Sequence, residues 1–376
     1  SETGEDVLEL QVHGGRAVTA ELLLALAGLP GLRPAEPGEF SRRAFLHGRM
    51  DLTAAEGLAD LVAAETRAQA RQALRQLEGE LGRLYERWRS ELLGALARIE
   101  AEIDFAADQD VPADMLSAVR PGLARVSAEM AAHVDDARRG ERLREGLTVA
   151  VVGPPNAGKS SLINRLAQRD VAIVTPEPGT TRDVLEVHLD LAGYPVTLLD
   201  TAGLREATGG AEAEGVRRAR QRAAEADLRL ALFDGARWPA LDRETLALLD
   251  EDTVVAVNKA DLGLLPGNVA IAGRRAQRLS CRTGEGLDRL LAQLAGSARE
   301  RLDSRAAPLL TRARHRAAVQ AALAALGRIA TLPPDTELAL LAEDLRLAVR
   351  AIGRITGRVG VEDLLDRIFG EFCIGK

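Results

Sequence analysis

The feature that most constrains the fold of this chain is the motif Gly-Pro-Pro-Asn-Ala-Gly-Lys-Ser at residues 153–160. It follows an apolar run at 147–152 that is typical of a buried strand, and it precedes a stretch with helical periodicity. Glycines in such a loop let backbone N–H groups surround phosphate oxygens, and the helix amino terminus adds positive potential. The pattern therefore predicts a phosphate-binding loop within a mainly parallel sheet.

The residue types in this loop predict individual roles. Lys159 would reach the β- and γ-phosphates, and the Ser160 hydroxyl would bind Mg²⁺. Nucleotide contacts from this segment are predicted for Asn156, Ala157, Gly158, Lys159, Ser160 and Ser161.

A second motif, Asp200-Thr201-Ala202-Gly203, follows the apolar run at 196–199. Asp200 would act on Mg²⁺ through a water molecule, and the backbone N–H of Gly203 would contact the γ-phosphate. Many GTPases place a water-orienting Gln directly after this motif, but here the next residue is Leu204. The carboxylates available to replace that Gln are Glu206, Glu212 and Glu214.

A third motif, Asn258-Lys259-Ala260-Asp261, ends another apolar run. A carboxylate at Asp261 can accept two parallel hydrogen bonds from guanine N1–H and N2–H₂, whereas adenine lacks that pair of donors. The Lys259 stem would pack across the base, and Ser280-Cys281-Arg282 would close the pocket through a backbone N–H. The order and spacing of the three motifs predict GTP as the nucleotide.

The run 175–181, with Asn156, offers several neutral oxygen ligands near the β/γ bridge. Such a cage suits a monovalent cation that neutralises developing charge where other GTPases use an arginine finger. Thr181 would supply a second Mg²⁺ hydroxyl. The alternative, that 175–181 is only a surface turn, stays open at this stage.

The spacing of apolar residues along the chain predicts which segments are helical and which contain strands. Apolar residues between Leu74 and Ile103 recur at helical spacing and predict a stripe on one long helix, whereas residues 147–296 alternate strands and helices. Near the amino terminus we expect a strand over 7–12 and a helix over Arg16–Ala27. The predicted strands of the central part are 147–152, 184–191, 196–199, 228–233 and 253–257.

Composition excludes several classes of protein. A net charge of −7 rules out a uniformly basic nucleic-acid coat, so contact with RNA would need a local patch. Two distant cysteines cannot form a disulfide framework, and no apolar run is long enough to cross a membrane, so we expect a cytoplasmic protein. The first residue is serine, from which we expect a truncated or processed amino terminus.

These motifs, together with Pro178-Gly179-Thr180-Thr181-Arg182-Asp183 and the terminal Cys373-Ile374-Gly375-Lys376, resemble the MnmE (TrmE) family of tRNA-modification GTPases. The resemblance implies an α/β P-loop GTPase domain inserted into an all-α helical domain, preceded by a partial α+β amino-terminal domain. The expected segments are 1–48 (amino-terminal remnant), 49–145 (helical, first part), 146–298 (GTPase) and 299–376 (helical, second part).

The resemblance also implies a chemistry. It implies a homodimer that works with a FAD-containing partner, MnmG (GidA), to add a carboxymethylaminomethyl group to C5 of the wobble uridine of certain tRNAs. GTP hydrolysis would be stimulated by K⁺ held by Asn156, Thr175, Glu177 and Thr180, with Glu212 orienting water. A formyl-tetrahydrofolate-type donor would contact Glu9, Arg49 and Lys376.

A different class of function competes with this interpretation. Ribosome-assembly GTPases share the same nucleotide motifs and bind RNA without modifying it, and signalling GTPases act on protein partners alone. Assembly GTPases typically carry an RNA-binding module or a second GTPase unit beside the nucleotide domain. Long helical segments on both sides of the motifs, and the terminal Cys-Ile-Gly-Lys, favour the tRNA-modification function.

Overall fold

The structure is a computed structural model of the chain, and it forms two compact units. The helical unit comprises Ser1–Ala63, Gln72–Ala137 and Pro308–Lys376, and the sheet unit comprises Ala64–Arg71 and Arg138–Ala307. The residues that the structure describes are 1–105, 115–136, 138–173, 186–200, 224–303, 309–333, 337–360, 362–370 and 372. The helical unit is therefore interrupted in sequence by the sheet unit, as predicted.

Within the described ranges, the helical unit contains amphipathic helices and no strand. The helices begin and end as follows, with α4 shared between the two units: α1 Arg16–Ala27, α2 Glu39–Leu46, α3 Leu52–Ala63, α4 Arg67–Leu77, α5 Glu80–Phe105 and α6 Met115–Val134. Apart from α1, which has no buried residue, these helices bury an apolar face, and the exclusion of that surface from water is the main source of their stability.

The predicted stripe from Leu74 to Ile103 lies on two helices, so the prediction of one helix is wrong. Gly79 has a left-handed backbone (φ +82°) between α4 and α5, which ends the first helix. Trp88, Leu92 and Ile99 are buried as expected. A periodic pattern does not reveal such a break, because Gly79 falls at a position that the apolar spacing leaves unoccupied.

At the amino terminus one prediction is confirmed and one is wrong. The predicted helix is α1, with the expected bounds. Residues 7–12 form no strand, and Leu8 is 85% exposed. A strand needs a neighbour that pairs with its backbone N–H and C=O groups, and all strands of the described chain lie between Leu147 and Arg278.

The sheet unit is built on a seven-stranded sheet with the order β2-β3-β1-β4-β5-β7-β6. Strands β3, β1, β4, β5 and β7 run parallel, whereas β2 pairs antiparallel with β3 and β6 with β7. The strands are β1 Leu147–Val152, β2 Glu186–Leu191, β3 Tyr194–Asp200, β4 Leu228–Asp234, β5 Thr253–Asn258, β6 Val269–Ile271 and β7 Arg274–Arg278.

Helices follow several of these strands. These are α8 Lys159–Ala167, α9 Arg243–Ala247 and α10 Leu287–Leu302, with short 3₁₀ turns at Gly235–Arg237 and Ala260–Leu262. A further helix of the sheet unit, α7 Arg139–Glu145, precedes β1. The remaining helices belong to the helical unit: α11 Ala313–Thr331, α12 Leu338–Thr356 and α13 Glu362–Gly370. The five predicted strands are confirmed where the structure describes them, and the predicted fold class is correct.

The carboxyl ends of four parallel strands lie at one edge of the sheet. Val151 of β1 is level with Asp200 of β3, and Asp234 of β4 is level with Asn258 of β5. In open α/β sheets ligands bind outside this edge, where the strand order changes direction. The register therefore places three of the predicted motifs around one crevice.

No helix within the described part of the chain is long and apolar enough to span a membrane.

Candidate nucleotide-binding site

Two glycines of the phosphate loop are required by close approach of other elements. A Cβ on Gly153 would lie 2.3 Å from the Leu232 carbonyl oxygen of β4, and one on Gly158 would lie 2.2 Å from Asn258 Nδ2. Gly158 also has φ +97°, a backbone conformation that L side chains rarely adopt. The glycines therefore let the loop press against β4 and β5 while it turns into α8.

The middle of the loop is exposed at Asn156 and buried at Ala157. Asn156 has a left-handed backbone (φ +64°), which asparagine tolerates better than most residues. Ala157 N–H donates to the Pro154 carbonyl at 3.3 Å and closes the turn. Asn156 is thus presented to solvent at the tip of the loop.

Lys159 is held inside the loop and only 8% of its side chain remains exposed. Its Nζ donates to the carbonyl oxygens of Gly153 (2.9 Å) and Pro154 (3.0 Å). A buried ammonium requires such partners, since an uncompensated charge would be costly. The positive charge therefore sits at the centre of the loop rather than in solvent.

Ser160 and Ser161 are exposed in the first turn of α8, while Asp200 is buried at the end of β3. An exposed hydroxyl and a carboxylate are hard oxygen donors of the kind that Mg²⁺ binds, and Mg²⁺ retains several waters and phosphate oxygens as its other ligands. Among the described residues there is no group of three His, Cys, Asp or Glu side chains that would hold a metal alone. This donor set fits a Mg²⁺ shared with a nucleotide.

Asn258 connects the phosphate loop to the segment predicted to close the base pocket. Its Nδ2 donates to the Ala157 carbonyl at 2.8 Å, and its Oδ1 accepts from the Cys281 N–H at 3.0 Å. The residue is 3% exposed, and each end of its side chain has a hydrogen-bond partner. Asn258 therefore acts as a structural bridge between the two segments.

Lys259 has a left-handed backbone (φ +64°) and pairs through Nζ with Asp234 Oδ2 at 2.8 Å. Asp234 also accepts from the Ala236 N–H at 2.9 Å through its other oxygen. This pair holds the lysine stem at the carboxyl edge of the sheet. The sequence interpretation missed Asp234, although its place at the end of the strand beside Asn258 was a signal for it.

Asp261 is oriented by two contacts. Ser280 Oγ donates to Oδ1 at 2.6 Å, and the largely exposed Arg282 guanidinium lies 2.8 Å from Oδ2. The hydrogen bond from Ser280, with the charge of Arg282, holds the pKa of Asp261 below its usual value. The carboxylate is therefore ionised near neutral pH and accepts hydrogen bonds at both oxygens. The hydroxyl of Ser280 was not foreseen from the sequence, which assigned the turn a backbone role.

Cys281 contributes its backbone N–H to Asn258, and its side chain is partly buried. Burial raises the pKa of the thiol to about 11, so the side chain is a neutral thiol at pH 7. These contacts are those of a structural residue in the turn.

Several predicted residues lie outside the described residues. They are Thr175, Glu177, Thr180, Thr181, Thr201, Ala202, Gly203, Leu204, Glu206, Glu212, Glu214, Cys373 and Lys376. Of the predicted folate contacts, Glu9 and Arg49 are described and both are exposed. Their assignments stay predictions.

Two family models match the chain and together cover nearly all of it. One, described as the MnmE helical domain, matches residues 52–373, and the other, described as the GTP-binding protein TrmE N-terminus, matches residues 1–49. The two matches adjoin in sequence and account for both flanks of the nucleotide motifs.

Full-length relatives agree with these matches. The chain is 56% identical over 374 residues to the tRNA modification GTPase MnmE of Paramagnetospirillum magneticum, covering 100% of this chain and 84% of that protein. It is 59% identical over 375 residues to the protein of that name from Rhodospirillum rubrum, covering 100% and 81%. A mitochondrial 5-taurinomethyluridine-tRNA synthase subunit of Rattus norvegicus is 48% identical over 394 residues, covering 100% and 79%.

Solved structures also resemble the chain. The FeoB G-domain of Methanococcus jannaschii is 22% identical and covers 41% of this chain and 98% of its own, with a TM-score of 0.29. Era of Aquifex aeolicus, solved with GDP and AlF₄⁻, is 25% identical and covers 47% and 66%, also with a TM-score of 0.29. TM-scores this low do not establish a shared fold. The fold assignment of this chain rests instead on its sheet order and on the family matches.

Proposed function

The chain belongs to the MnmE family of tRNA modification GTPases, and from this premise we propose that its GTP hydrolysis serves one particular modification. That modification is the addition of a carboxymethylaminomethyl group to C5 of the wobble uridine of certain tRNAs, carried out together with a FAD-containing partner. The single observation that carries the proposal is the family match across both flanks of the GTPase motifs, over residues 1–49 and 52–373.

The first step, binding of the triphosphate, would use the phosphate loop. Lys159 already lies at its centre on the carbonyl oxygens of Gly153 and Pro154. Backbone N–H groups of Ala157, Gly158 and Lys159 would surround the β-phosphate at the amino terminus of α8. The buried position of Lys159 supports this role, because a charge in a site of low dielectric acts strongly on the phosphates.

Guanine would be selected by Asp261. The exposed Arg282 would leave Oδ2 when the base enters, at little cost, because an ion pair with so exposed a partner contributes little. Both carboxylate oxygens would then face the N1–H and N2–H₂ donors of guanine, with Ser280 Oγ still holding Oδ1. Lys259, fixed by Asp234, would pack along the base.

We further propose Ser160, Thr181 and, through water, Asp200 as the residues that hold Mg²⁺. The ion would neutralise charge on the β- and γ-phosphates. Ser160 supports the assignment by its exposure in the first turn of α8, and Asp200 by its place beside Val151 at the end of β3. Together these residues would supply oxygen ligands to the ion at the mouth of the phosphate loop.

Hydrolysis would be helped by K⁺ bound to Asn156, Thr175, Glu177 and Thr180. Asn156 supports this proposal, because its left-handed backbone presents an exposed amide at the tip of the phosphate loop. The ion would stabilise charge that develops between the β- and γ-phosphates. Leu204 cannot orient water, and Glu212 would do so instead, while Gly203 N–H would contact the γ-phosphate.

The remaining proposals concern the wider reaction. A homodimer would bind a formyl-tetrahydrofolate-type one-carbon donor at Glu9, Arg49 and Lys376, in the cytoplasm where tRNA is found. Redox steps would belong to the FAD-containing partner, because a flavin carries that chemistry.

The proposed function is tested by mass analysis of wobble uridine in tRNA from cells that lack this protein. We expect the carboxymethylaminomethyl mass to disappear and to return when the chain is supplied again. A ribosome-assembly GTPase would instead leave the nucleoside masses unchanged and alter the ribosomal subunit profile. Unchanged wobble uridine in the deletion cells would contradict the proposal.

A further inference from the structure

A row of arginines runs along the outer side of α12 and continues just beyond it. Arg346, Arg350, Arg354 and Arg358 follow one another at intervals of four residues. In a helix, four residues advance about 6 Å along the axis and return to nearly the same side. Arg350, Arg354 and Arg358 are exposed, and these three are called the arginine row below.

Charge pairing separates the arginine row from its neighbour. Arg346 lies 2.8 Å from Glu100 and 3.3 Å from Glu343. The three members of the row form no ion pair with any residue that the structure describes. No carboxylate of the described residues therefore competes with an external anion for their guanidinium groups.

Two less exposed arginines of the helical unit contrast with the row. Arg312 lies 2.7 Å from Asp60, and Arg316 lies 2.7 Å from Asp136. The nearby Arg89, whose Nε would be 3.6 Å from a Cβ on Gly353, lies 2.8 Å from Glu86, its one carboxylate partner among the described residues. Among the described residues, the arginine row thus has no carboxylate partner of the kind that Arg312 and Arg316 have.

The backbone that carries the row is fixed by packing and hydrogen bonds. Gly357 has φ +86°, and a Cβ there would lie 2.5 Å from the Phe45 ring. Arg358 N–H donates to the Gly353 carbonyl at 2.9 Å, and Arg314 donates to the Ile355 carbonyl at 3.2 Å. These contacts fix the backbone at the carboxyl end of α12, and with it the backbone positions of Arg354 and Arg358.

Stabilisation of the helix by its own dipole explains only some of the arginines in the row. Cations near the carboxyl end of a helix are stabilised by its dipole, but the effect falls off within the last turn. That accounts for Arg354, whereas Arg350 lies a turn and a half before Thr356, the end of α12. The row begins a turn and a half before the end of α12 and continues to Arg358 beyond it, so a ligand with repeated negative charge would match its length better than the helix dipole does.

We propose that the arginine row is a docking surface for the phosphate backbone of tRNA. The inference rests on the proposed function, which makes tRNA the substrate. Guanidinium groups bind phosphates through paired hydrogen bonds, and a chain of net charge −7 needs a local patch of this kind to hold RNA. Because such contacts read no base, the row would position tRNAs of different sequence alike.

The test compares two triple variants of the full chain by fluorescence anisotropy of labelled tRNA taken from cells that lack the protein. One carries Arg350→Gln, Arg354→Gln and Arg358→Gln. The matched control carries Arg243→Gln, Arg289→Gln and Arg299→Gln, which are exposed arginines of the sheet unit that form no ion pair among the described residues. Both variants change the net charge equally and leave the nucleotide motifs intact.

We expect the row variant to bind tRNA at least about tenfold more weakly at 0.1 M KCl, with the control within about twofold of wild type. The slope of log Kd against log KCl concentration should fall by about two to three in the row variant, one step for each lost phosphate contact. GTP turnover without tRNA and the thermal midpoint should stay unchanged in both.

Wild-type affinity and slope in the row variant would overturn the inference, and would point to an acidic protein segment as the ligand of the row. Equal weakening of both variants would also overturn it, because general charge would then explain the effect. If wild-type chain fails to bind tRNA while deletion cells lose the modified uridine, the row is refuted and the proposed function survives. If deletion cells keep the modification, the proposed function fails whatever the row binds.

Discussion

The side-chain amide of Asn258 lies 2.8 Å from the carbonyl oxygen of Ala157 and so joins the end of β5 to the phosphate loop. Its other atom, Oδ1, accepts from the Cys281 N–H at 3.0 Å. One buried side chain thus holds the two segments that would meet opposite ends of a nucleotide. The phosphate loop and the turn at Cys281 are therefore held in position relative to each other without a bound ligand.

We expect Asn258→Ala to weaken GTP binding by more than about tenfold and to lower the free energy of unfolding by about 2 kcal/mol. The change removes two hydrogen bonds and leaves a carbonyl and an N–H without their partner. Calorimetric titration with GTP and urea unfolding measure the two effects. Asn164→Ala, on an exposed position of α8, is the control and should leave both quantities near wild type.

Asp261→Asn should exchange guanine for xanthine as the favoured base. An amide cannot accept both guanine donors, whereas its NH₂ group complements the extra carbonyl of xanthine. Competition binding of GTP and xanthosine triphosphate measures the change, for which we expect at least about tenfold loss for GTP and a gain for xanthosine triphosphate. Asp288→Asn, on an exposed aspartate of α10, should not alter the preference. An unaltered preference in the Asp261 variant would refute the assignment of the base pocket.

Glu212→Ala should lower GTP turnover by about a hundredfold and change nucleotide affinity little. A group that orients water acts mainly on the chemical step, and general base catalysis contributes on the order of 10² to 10⁴ in rate. Single-turnover hydrolysis and GTP titration separate the two quantities. If turnover stays near normal, the water-orienting role passes to Glu206 or Glu214, and Ala variants of these two residues identify which.

The helical unit should lose stability between pH 6.5 and pH 4. Burial lowers the pKa of His133 to about 4, against the attraction of Asp136 and with further lowering by His315 and Arg316. The unfolded chain therefore binds more protons than the folded chain in this window, so the free energy of unfolding rises with pH across it. The Tyr85 hydroxyl, 3.2 Å from His133 Nε2, is the polar partner of the neutral ring.

Urea unfolding at a series of pH values measures this slope, which a single histidine limits to about 1.4 kcal/mol per pH unit. His133→Gln should reduce it, because Gln does not titrate, and the buried His315, whose pKa is also lowered by burial, leaves a remaining slope of the same sign. His13→Gln, at an exposed position, should leave the slope as in wild type. Equal slopes for wild type and His133→Gln would exclude His133 as the cause.

What could be predicted from the sequence was local. The phosphate loop, the apolar parallel strands and α1 follow from motif and periodicity, because their determinants lie within a few residues of each other. The break at Gly79 and the missing strand at 7–12 depend on what each segment meets elsewhere in the fold. The short β7 was missed for a similar reason, since its Arg-Arg-Ala-Gln-Arg sequence has no apolar alternation and it forms by pairing with β5.

The contacts that orient the side chains of the site were harder to predict from the sequence than the motifs themselves. The Ser280 hydroxyl on Asp261 and the Asp234 carboxylate on Lys259 join residues 19 and 25 positions apart. Such pairs are set by strand register, which a single sequence does not reveal. The sequence motifs point to the residues that we propose for the base pocket, whereas the contacts that hold those residues in place were not predictable.

The central claim is that the loop around Lys159 hydrolyses GTP with the help of an alkali cation. The most direct measurement is the initial rate of GTP turnover by the full chain in KCl and in NaCl at equal ionic strength, with Mg²⁺ present in both. We predict a rate at least about tenfold higher in KCl, and a Lys159→Ala variant without turnover in either salt. Equal rates in the two salts, or turnover that survives Lys159→Ala, would contradict the claim.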